Sequence, residues 1–340
     1  MRCQLFGTRT GLKVSSIALG TGLLGKANGY GAEPDDVPRI LGDYAEAGGN
    51  FIDTSDAYQL GKSEKAVGKF IASRRNEMVI ASKFGRGASV QSGIAASGAS
   101  RKAMVQSVED SLRRLQTDRI DLYFAHLDDG VTPMEEIARG FDDLVRAGKI
   151  VYGGLSNFPA WRAASGITLA ASRSWAPIVT VQVEFSLLAR DAQRELLPMA
   201  DAFGLGVMGY SPLAAGLLTG KYRDGERGRA TDLTASVTHS AAEHAHTIDT
   251  LLAVASELGI TAGCAALAWV QAKGVIPIIG PRTPTQLAEN LMTSSVALSE
   301  SQIQRLDKAS AVPPGYPHEL LSKQRPAFLA GIEMPHTTVG

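Results

Sequence analysis

Eight short apolar segments recur along the chain, and their spacing is the strongest constraint on its fold. Several are almost continuously apolar and rich in β-branched residues, which is typical of parallel strands covered on both faces. Segments with helical periodicity lie between them. The eight are SSIALG (15–20), NFIDT (50–54), VIASK (79–83), IDLYFAH (120–126), IVYGGLS (150–156), IVTVQVE (178–184), GVMGYSP (206–212) and VIPIIG (275–280).

Two of the intervening segments carry clear helical signals. TPMEEIARGFDDLVRAGK (132–149) begins with a predicted capping box, with Thr132 as N-cap, Pro133 at the first helical position and Glu135 at the third. Its predicted inward stripe is Ile137, Phe141, Leu144 and Val145. RKAMVQSVEDSLRRL (101–115) predicts an inward face formed by Met104, Val105, Val108, Leu112 and Leu115.

This alternation predicts an α/β fold, a (β/α)₈ TIM barrel that forms one domain over residues 1–340. RCQLFGTRTGLKVS, near the start, predicts an N-terminal β-hairpin. An open doubly wound sheet is the alternative, because Gly20, Gly22 and Gly25 match G-x-G-x-x-G. That match is weak, since the chain continues as a loop and no acidic residue closes a second strand at the required distance. We therefore favour the barrel.

Three long loops follow predicted strands: residues 25–36, 84–100 and 222–240. In a barrel, such loops form the rim at the carboxyl ends of the strands, where active sites are built. We therefore expect substrate contacts to come from them.

Composition excludes several kinds of partner. Lys and Arg together number 34, as do Asp and Glu, so the formal net charge is zero and gives no reason to expect nucleic acid or a membrane surface. Two cysteines are too few for a disulfide framework. The N-terminus lacks a signal-peptide core, and no apolar run reaches membrane-spanning length. We expect a soluble, cytoplasmic protein that acts on a small molecule; its oligomeric state cannot be read from the sequence.

Four ionisable residues follow three successive predicted strands: Asp53 with Tyr58, then Lys83, then His126. Each alone has a structural explanation, as a turn cap, a rim aromatic or a packed histidine. Lys83 is the exception, because lysine is almost never buried without a partner, and the neighbouring strand end supplies Asp53. We predict that Lys83 lowers the pKa of Tyr58 and that neutral His126 orients a substrate oxygen.

Such a set can protonate a developing alkoxide. It contains no nucleophile with its own base, and the sequence has no ligands at zinc-like spacing, so we expect no metal. The electrons must then come from a hydride donor.

Seven segments resemble the aldo-keto reductases in content and order across most of the chain. They are NFIDTSDAYQLGKSEKAVGKFI, VIASKFG, DLYFAH, GGLSNF, VTVQVEFSLL, GVMGYSPLAAGLLTGKY and IPIIGPRTPTQLAEN. The resemblance implies a barrel that binds NADP(H) without a Rossmann fold. It also implies the catalytic tetrad Asp53, Tyr58, Lys83 and His126, with Tyr58 as general acid/base. One departure is local: the family often has Gly after the tyrosine, and here Gln59 and Leu60 precede Gly61.

The end of the eighth strand predicts a phosphate site. Thr283 is a predicted N-cap with Pro284 at the first helical position and Gln286 at the third, and helix N-termini bind phosphate. Arg282 adds a planar fork suited to a phosphate monoester, although a solvated arginine is the alternative. The resemblance implies that Arg282 and Thr283 contact the adenosine 2′-phosphate, with Gln286, Glu289 and Asn290 towards the adenine. This favours NADPH over NADH.

Polar side chains on other strand ends predict the nicotinamide site. Ser156, Asn157 and Gln182 need partners on otherwise apolar strands, and a nicotinamide carboxamide would supply them. The resemblance implies that Tyr210 stacks on the ring, with a core aromatic as the alternative. The resemblance also implies that the pyrophosphate is lined by Ser211, Leu213, Gly216 and Lys221. The remaining predicted cofactor contacts, around the same site, are Gly20, Thr21, Asp53 and Gly280.

The sequence therefore predicts NADPH-dependent reduction of an aldehyde or ketone. Oxidation of an alcohol or sugar on the same residues is the first alternative. Some barrels that resemble this family are regulatory subunits of membrane channels and use the cofactor as a redox sensor, which is the second. A glycoside hydrolase with Asp53 and Glu184 as paired carboxylates is the third, disfavoured because Lys83 would keep Asp53 ionised.

Overall fold

The computed structural model describes residues 1–27, 29–87, 93, 96–224 and 243–329 of the 340-residue chain. Eight parallel strands close a barrel in chain order, which confirms the predicted architecture and excludes the open sheet. These strands are β3 (Ala18–Gly20), β4 (Phe51–Asp53), β5 (Val79–Phe84), β6 (Ile120–Ala125), β7 (Ile150–Ser156), β8 (Ile178–Glu184), β9 (Gly206–Tyr210) and β10 (Ile276–Ile279).

Helices connect the strands and form the outer layer. In chain order they are α1 (Asp36–Glu46), α2 (Lys62–Ile71), α3 (Arg101–Leu115), α4 (Met134–Arg146), α5 (Ala160–Ser172), α6 (Leu196–Ala202), α7 (Ala245–Leu258), α8 (Ala262–Ala272), α9 (Pro284–Leu291), α10 (Glu300–Ala309) and α11 (His318–Phe328). No single helix in the described part of the chain is long and apolar enough to span a membrane; α7 and α8 meet that length and composition only as a pair, bent by 98°.

The predicted N-terminal hairpin is present and closes the amino-terminal end of the barrel. Strands β1 (Cys3–Leu5) and β2 (Lys13–Ser15) pair antiparallel. The ring of Phe6 then packs edge-on against Phe51, the first residue of β4, with centroids 5.5 Å apart. A Cβ at Gly206, the first residue of β9, would lie 2.6 Å from the Phe6 ring. Glycine at the start of β9 therefore makes room for the Phe6 ring.

Two helix predictions need correction. Val105 is 43% exposed, so it does not belong to the inward face of α3, whose buried members include Met104 and Val108. Helix α4 starts at Met134 without a side-chain cap, so Thr132 is not its N-cap. The hydroxyl of Thr132 instead donates to the carboxylate of Asp129 at 2.6 Å, which takes it away from the helix terminus. The inward stripe of α4 is confirmed at Ile137, Phe141 and Leu144, and Val145 is partly buried.

The long rim loops are described only in part. Residue 28 of the first loop, residues 88–92 and 94–95 of the second, and residues 225–240 of the third lie outside the described residues.

The hydroxyl of Tyr44, on helix α1, contacts the last residue of the hairpin, the residue before β3 and the first residue of β4. It lies 2.8 Å from the carbonyl oxygens of both Ile17 and Phe51 and 2.9 Å from the hydroxyl of Ser15. A Cβ at Gly49 would lie 2.4 Å from the Tyr44 ring, so the chain passes the ring at a glycine. One buried hydroxyl therefore ties residues 15–17 to residues 44–51.

We expect Tyr44→Phe to lower the free energy of unfolding by about 1–3 kcal/mol, because it leaves buried polar groups without a partner. Urea unfolding followed by circular dichroism measures this loss. Tyr152→Phe is the matched control, since that side chain is only partly buried and should change stability by less than about 0.5 kcal/mol. Equal effects of the two substitutions would contradict the role given to the Tyr44 hydroxyl.

Candidate active site

The ammonium group of Lys83 is the centre of the site and is fully buried in the barrel. It donates to both carboxylate oxygens of Asp53, at 2.8 and 2.7 Å, and to the backbone carbonyl of Thr54 at 2.8 Å. The amide nitrogen of Gln182 donates to Asp53 at 2.8 Å. The carboxylate therefore balances the buried charge and is itself held from β8.

Tyr58 is the third residue that contacts this ammonium group. Its phenolic oxygen lies 3.2 Å from Lys83 Nζ, and the ammonium also sits 4.7 Å from the centre of the Tyr58 ring. The predicted proximity of Asp53, Lys83 and Tyr58 is thus present.

The predicted lowering of the Tyr58 pKa is wrong as a net effect. Burial raises the pKa of the phenol above its ordinary value, and the charge of Lys83 opposes this only in part. Burial by itself lowers the pKa of Lys83. Asp53 and Tyr58 raise this pKa by more than burial lowers it, so the pKa of the ammonium is above its ordinary value. At neutral pH Tyr58 therefore carries its proton and Lys83 its charge.

His126 faces Tyr58 from the end of β6. Their rings meet edge to face with centroids 5.9 Å apart. Burial, together with the charges of Lys83 and Arg86, lowers the pKa of His126 to about 2. The imidazole is therefore neutral, as predicted for a group that orients an oxygen atom.

The departure after Tyr58 has a structural explanation. Gln59 and Leu60 both have positive φ, 50° and 57°, and Gly61 continues the left-handed turn at 78°, so two residues with side chains adopt a conformation that favours glycine. The side chain of Gln59 is buried and donates to the carbonyl of Gly22 at 2.8 Å. That bond ties the tyrosine loop to the end of β3 and stabilises the strained turn.

A cleft of about 850 Å³ opens at the carboxyl ends of the strands, large enough for a dinucleotide with a small substrate. Lys83 and Thr21 are fully buried and do not line it. The predicted site residues that do are Gly20, Asp53, Tyr58, His126, Ser156, Asn157, Gln182, Tyr210, Ser211, Leu213, Gly216, Lys221, Gly280, Arg282, Thr283, Gln286, Glu289 and Asn290. Glu184 is exposed and is absent from this lining, so the pairing of Asp53 with Glu184 considered for glycoside hydrolysis does not form in the cleft.

The polar groups at the ends of β7 and β8 already have protein partners. Asn157, at φ 58°, donates to the hydroxyl of Ser156 at 2.9 Å and to the carbonyl of His126 at 3.0 Å, and accepts from the hydroxyl of Tyr210 at 2.9 Å. The expectation that these amides need a bound ring to satisfy them is therefore wrong. What remains for a carboxamide is the hydroxyl proton of Ser156 and the side-chain carbonyl of Gln182.

The far end of the cleft carries the predicted phosphate site. Thr283 is the N-cap of α9, accepting from the backbone N–H of Gln286 at 3.2 Å, and Pro284 follows it. The side chain of Gln286 turns back to the N–H of Arg282 at 2.9 Å, one residue before the partner that a capping box requires. The Arg282 guanidinium lies 4.5 Å from the centre of the Tyr30 ring. Stacking on Tyr30 directs a planar cation to the mouth of the cleft next to a helix N-terminus, a donor set that fits a phosphate group.

Sequence reasoning missed several residues of this site, among them Tyr30, Arg86 and Ser55. Tyr30 lies in a loop, where no periodic sequence pattern marks it. Arg86 lines the cleft beyond β5 and was hidden in a glycine-rich segment. Ser55 accompanies the predicted residues within the motif, and its hydroxyl lies 3.2 Å from His126 Nδ1. Only the path of the chain after β4 reveals that contact.

We expect Lys83→Met to lower the free energy of unfolding by about 3–5 kcal/mol, because it leaves the buried carboxylate of Asp53 without its counter-charge. Chemical denaturation measures the loss. The exposed Lys69→Met, on α2, is the control and should change stability by less than about 0.5 kcal/mol. If Lys83→Met were as stable as the control, the ion pair would not organise the site.

Comparison with known proteins agrees with this geometry. The family model described as "Aldo/keto reductase family" matches residues 16–311. An uncharacterized oxidoreductase, YrpG, of Bacillus subtilis is 36% identical over 90% of this chain and 95% of its own. The aldo-keto reductase ausK of Emericella nidulans is 34% identical over 94% of this chain and 84% of its own, and an aryl-alcohol dehydrogenase [NADP(+)] of Phanerodontia chrysosporium is 32% identical over 91% and 86%. With an oxidoreductase family model over most of its length and relatives of this identity and coverage, the chain belongs to the aldo/keto reductase family.

Proposed function

We propose that this protein reduces the carbonyl group of an aldehyde or ketone with NADPH. The observation that carries the proposal is the buried Lys83 ammonium, which joins the carboxylate of Asp53 to the phenol of Tyr58 at the floor of the cleft. When bound, the nicotinamide cofactor would supply the hydride. The protein's own groups would then hold the substrate oxygen and deliver its proton.

Tyr58 would act as the proton donor. Its raised pKa keeps the phenol protonated at neutral pH, which is the form that reduction requires. As the substrate oxygen becomes an alkoxide, the phenol gives up its proton, and the ammonium group 3.2 Å away stabilises the phenolate that forms. Asp53 holds that ammonium in place.

His126 would position the substrate oxygen. A neutral imidazole beside the phenol can donate one hydrogen bond to a carbonyl oxygen, and its pKa of about 2 keeps it from competing as an acid. Apolar side chains of Leu23 and Leu127 line the same cleft and would exclude water from the reacting groups.

Arg282, Thr283 and the N-terminus of α9 would hold the 2′-phosphate that distinguishes NADPH from NADH. The ends of β7, β8 and β9 would hold the nicotinamide end, through Ser156, Gln182 and Tyr210. We include a reducing, cytoplasmic setting in the proposal, and both cysteines are free thiols.

Oxidation of an aryl alcohol is the second candidate, because several relatives are named aryl-alcohol dehydrogenases and one of these names NADP(+). The reverse reaction would use the same residues, with Tyr58 receiving the alcohol proton through its phenolate. Because the phenol is protonated at neutral pH, we expect oxidation to need more alkaline conditions than reduction.

Tyr58→Phe should reduce the turnover of a benzaldehyde with NADPH by about 10²–10⁴-fold, because the proton donor is lost while the ring remains. The absorbance of NADPH, followed with aldehyde and in reverse with the alcohol and NADP⁺, measures both directions. Tyr152→Phe is again the matched control and should leave both rates unchanged. A Tyr58→Phe rate within a few-fold of the parent would refute the assignment.

Arg282→Ala should weaken NADPH binding by about 10–100-fold, the loss expected for hydrogen bonds to a charged group, and should leave NADH binding nearly unchanged. Titration of protein fluorescence with each nucleotide gives both dissociation constants. Replacing the exposed Arg173 with Ala controls for a general loss of positive charge. Equal losses for NADPH and NADH would place the 2′-phosphate elsewhere.

A further inference from the structure

A buried hydroxyl connects the histidine of the site to a carboxylate behind it. The oxygen of Ser55 lies 3.2 Å from Nδ1 of His126 and 3.1 Å from a carboxylate oxygen of Asp56. It also accepts the backbone N–H of Ala57 at 3.2 Å. All three side chains are buried, Ser55 completely. His126 uses Nδ1 for this contact, which leaves Nε2 as the ring nitrogen for the cleft.

Two arrangements of protons satisfy the contacts of Ser55 with both Asp56 and His126 when a proton on Asp56 sits on the oxygen that faces Ser55. A serine hydroxyl has one proton and two acceptor positions, and Ala57 occupies one of the two. If Asp56 is ionised, Ser55 donates to it and must accept the Nδ1 proton of His126, so Nε2 is bare. If Asp56 is protonated, it donates to Ser55, Ser55 donates to Nδ1, and the imidazole proton is on Nε2.

We propose that Ser55 and Asp56 are positioning residues that set which nitrogen of His126 carries the proton, and thereby whether the histidine presents a hydrogen-bond donor or an acceptor to the substrate oxygen. The change between the two arrangements balances with one proton. That proton enters at Nε2 from the cleft, the Nδ1 proton passes to Ser55, and the Ser55 proton passes to Asp56. No other group gains or loses charge.

The surroundings of Asp56 make both arrangements accessible near neutral pH. Burial raises the pKa of Asp56 to about 6, and the neighbouring carboxylate of Glu64 adds to the rise. Arg114 opposes it in part, but this guanidinium is bound to Glu64. The buried phenol of Tyr123 also faces these two carboxylates. The second oxygen of Asp56 has no hydrogen-bond partner among the described residues, which leaves the ionised form poorly stabilised.

The surroundings of His126 keep the imidazole neutral throughout. Lys83 and Arg86 both face it and disfavour a second proton. The pKa of Tyr58 is raised, so the phenol does not titrate in the same range. Between about pH 5 and 8 Asp56 is therefore the group beside His126 whose protonation changes.

The effect of the His126 tautomer on the reaction rests on the proposed function. Reduction needs a donor to the carbonyl oxygen, so it is favoured by the Nε2–H form, which is present below about pH 6. Oxidation needs an acceptor for the alcohol hydroxyl, which is the bare Nε2 present above about pH 6.

Nitrogen NMR of the full-length protein labelled with ¹⁵N-histidine tests the tautomer directly. The His126 signals are assigned by their loss in His126→Gln. We expect the proton to move from Nε2 to Nδ1 as the pH rises from 5 to 8. Asp56→Asn should lock the Nε2–H form, because its amide donates to Ser55 as protonated Asp56 does. Ser55→Ala should uncouple the tautomer from pH, whereas Ser63→Ala, which removes a buried serine on α2 that bonds to Thr21, should leave the transition intact.

Rates of benzaldehyde reduction over the same pH range test the link to the reaction. We expect the wild-type turnover number to fall by about tenfold from pH 5 to 8, and that of Asp56→Asn to stay constant. A His126 tautomer that does not change with pH, or one that still changes in Ser55→Ala, would overturn the proposal. A tautomer transition with identical rate profiles in wild type and Asp56→Asn would overturn the positioning role. The NMR measurement needs no turnover, so a failure of the proposed function remains distinguishable from a failure of this inference.

Discussion

The charge of one buried lysine organises the site of this barrel. Strands β4 and β5 are parallel neighbours, and Asp53 is in register with Ala81. Lys83 lies two residues further on, on the same face of β5 as Ala81, so its side chain reaches back across the barrel interior to the carboxylate. Burying an ammonium is unfavourable unless its charge and all its protons are satisfied, and Asp53, Thr54 and Tyr58 satisfy them here.

The same charge determines the protonation of its neighbours. It disfavours a second proton on the His126 imidazole, which burial also keeps neutral. It partly offsets the free-energy cost of ionising the buried phenol of Tyr58. The cleft floor therefore combines a protonated phenol and a neutral imidazole with a fixed positive charge. An oxygen atom that becomes negative during a reaction would meet a protonated phenol and a fixed cation that need no rearrangement.

Sequence reasoning located the site residues at the strand ends and missed contacts that depend on the path of the loops. The apolar segments placed Asp53, Lys83 and His126 at neighbouring strand ends, because parallel strands in a barrel present their carboxyl ends at one rim. Thr132 was misassigned because Asp129, three residues earlier, competes for its hydroxyl, and local sequence cannot decide that competition. The contact of Ser55 with His126 joins residues 71 positions apart and depends on the turn after β4.

The two halves of the cleft differ in how they are built, and this bears on specificity. The half that ends at α9 is lined by strand ends and by the capped start of that helix. The opposite half is bounded by Arg86 and Leu127, which follow β5 and β6 and are positioned by loops. Because loops tolerate substitution better than strand ends, the same chemistry at the strand ends can be combined with different substrates. Ser55 and Asp56 are absent from the cleft lining although Ser55 contacts His126, so the control of the His126 proton that we propose needs no contact with a bound ligand.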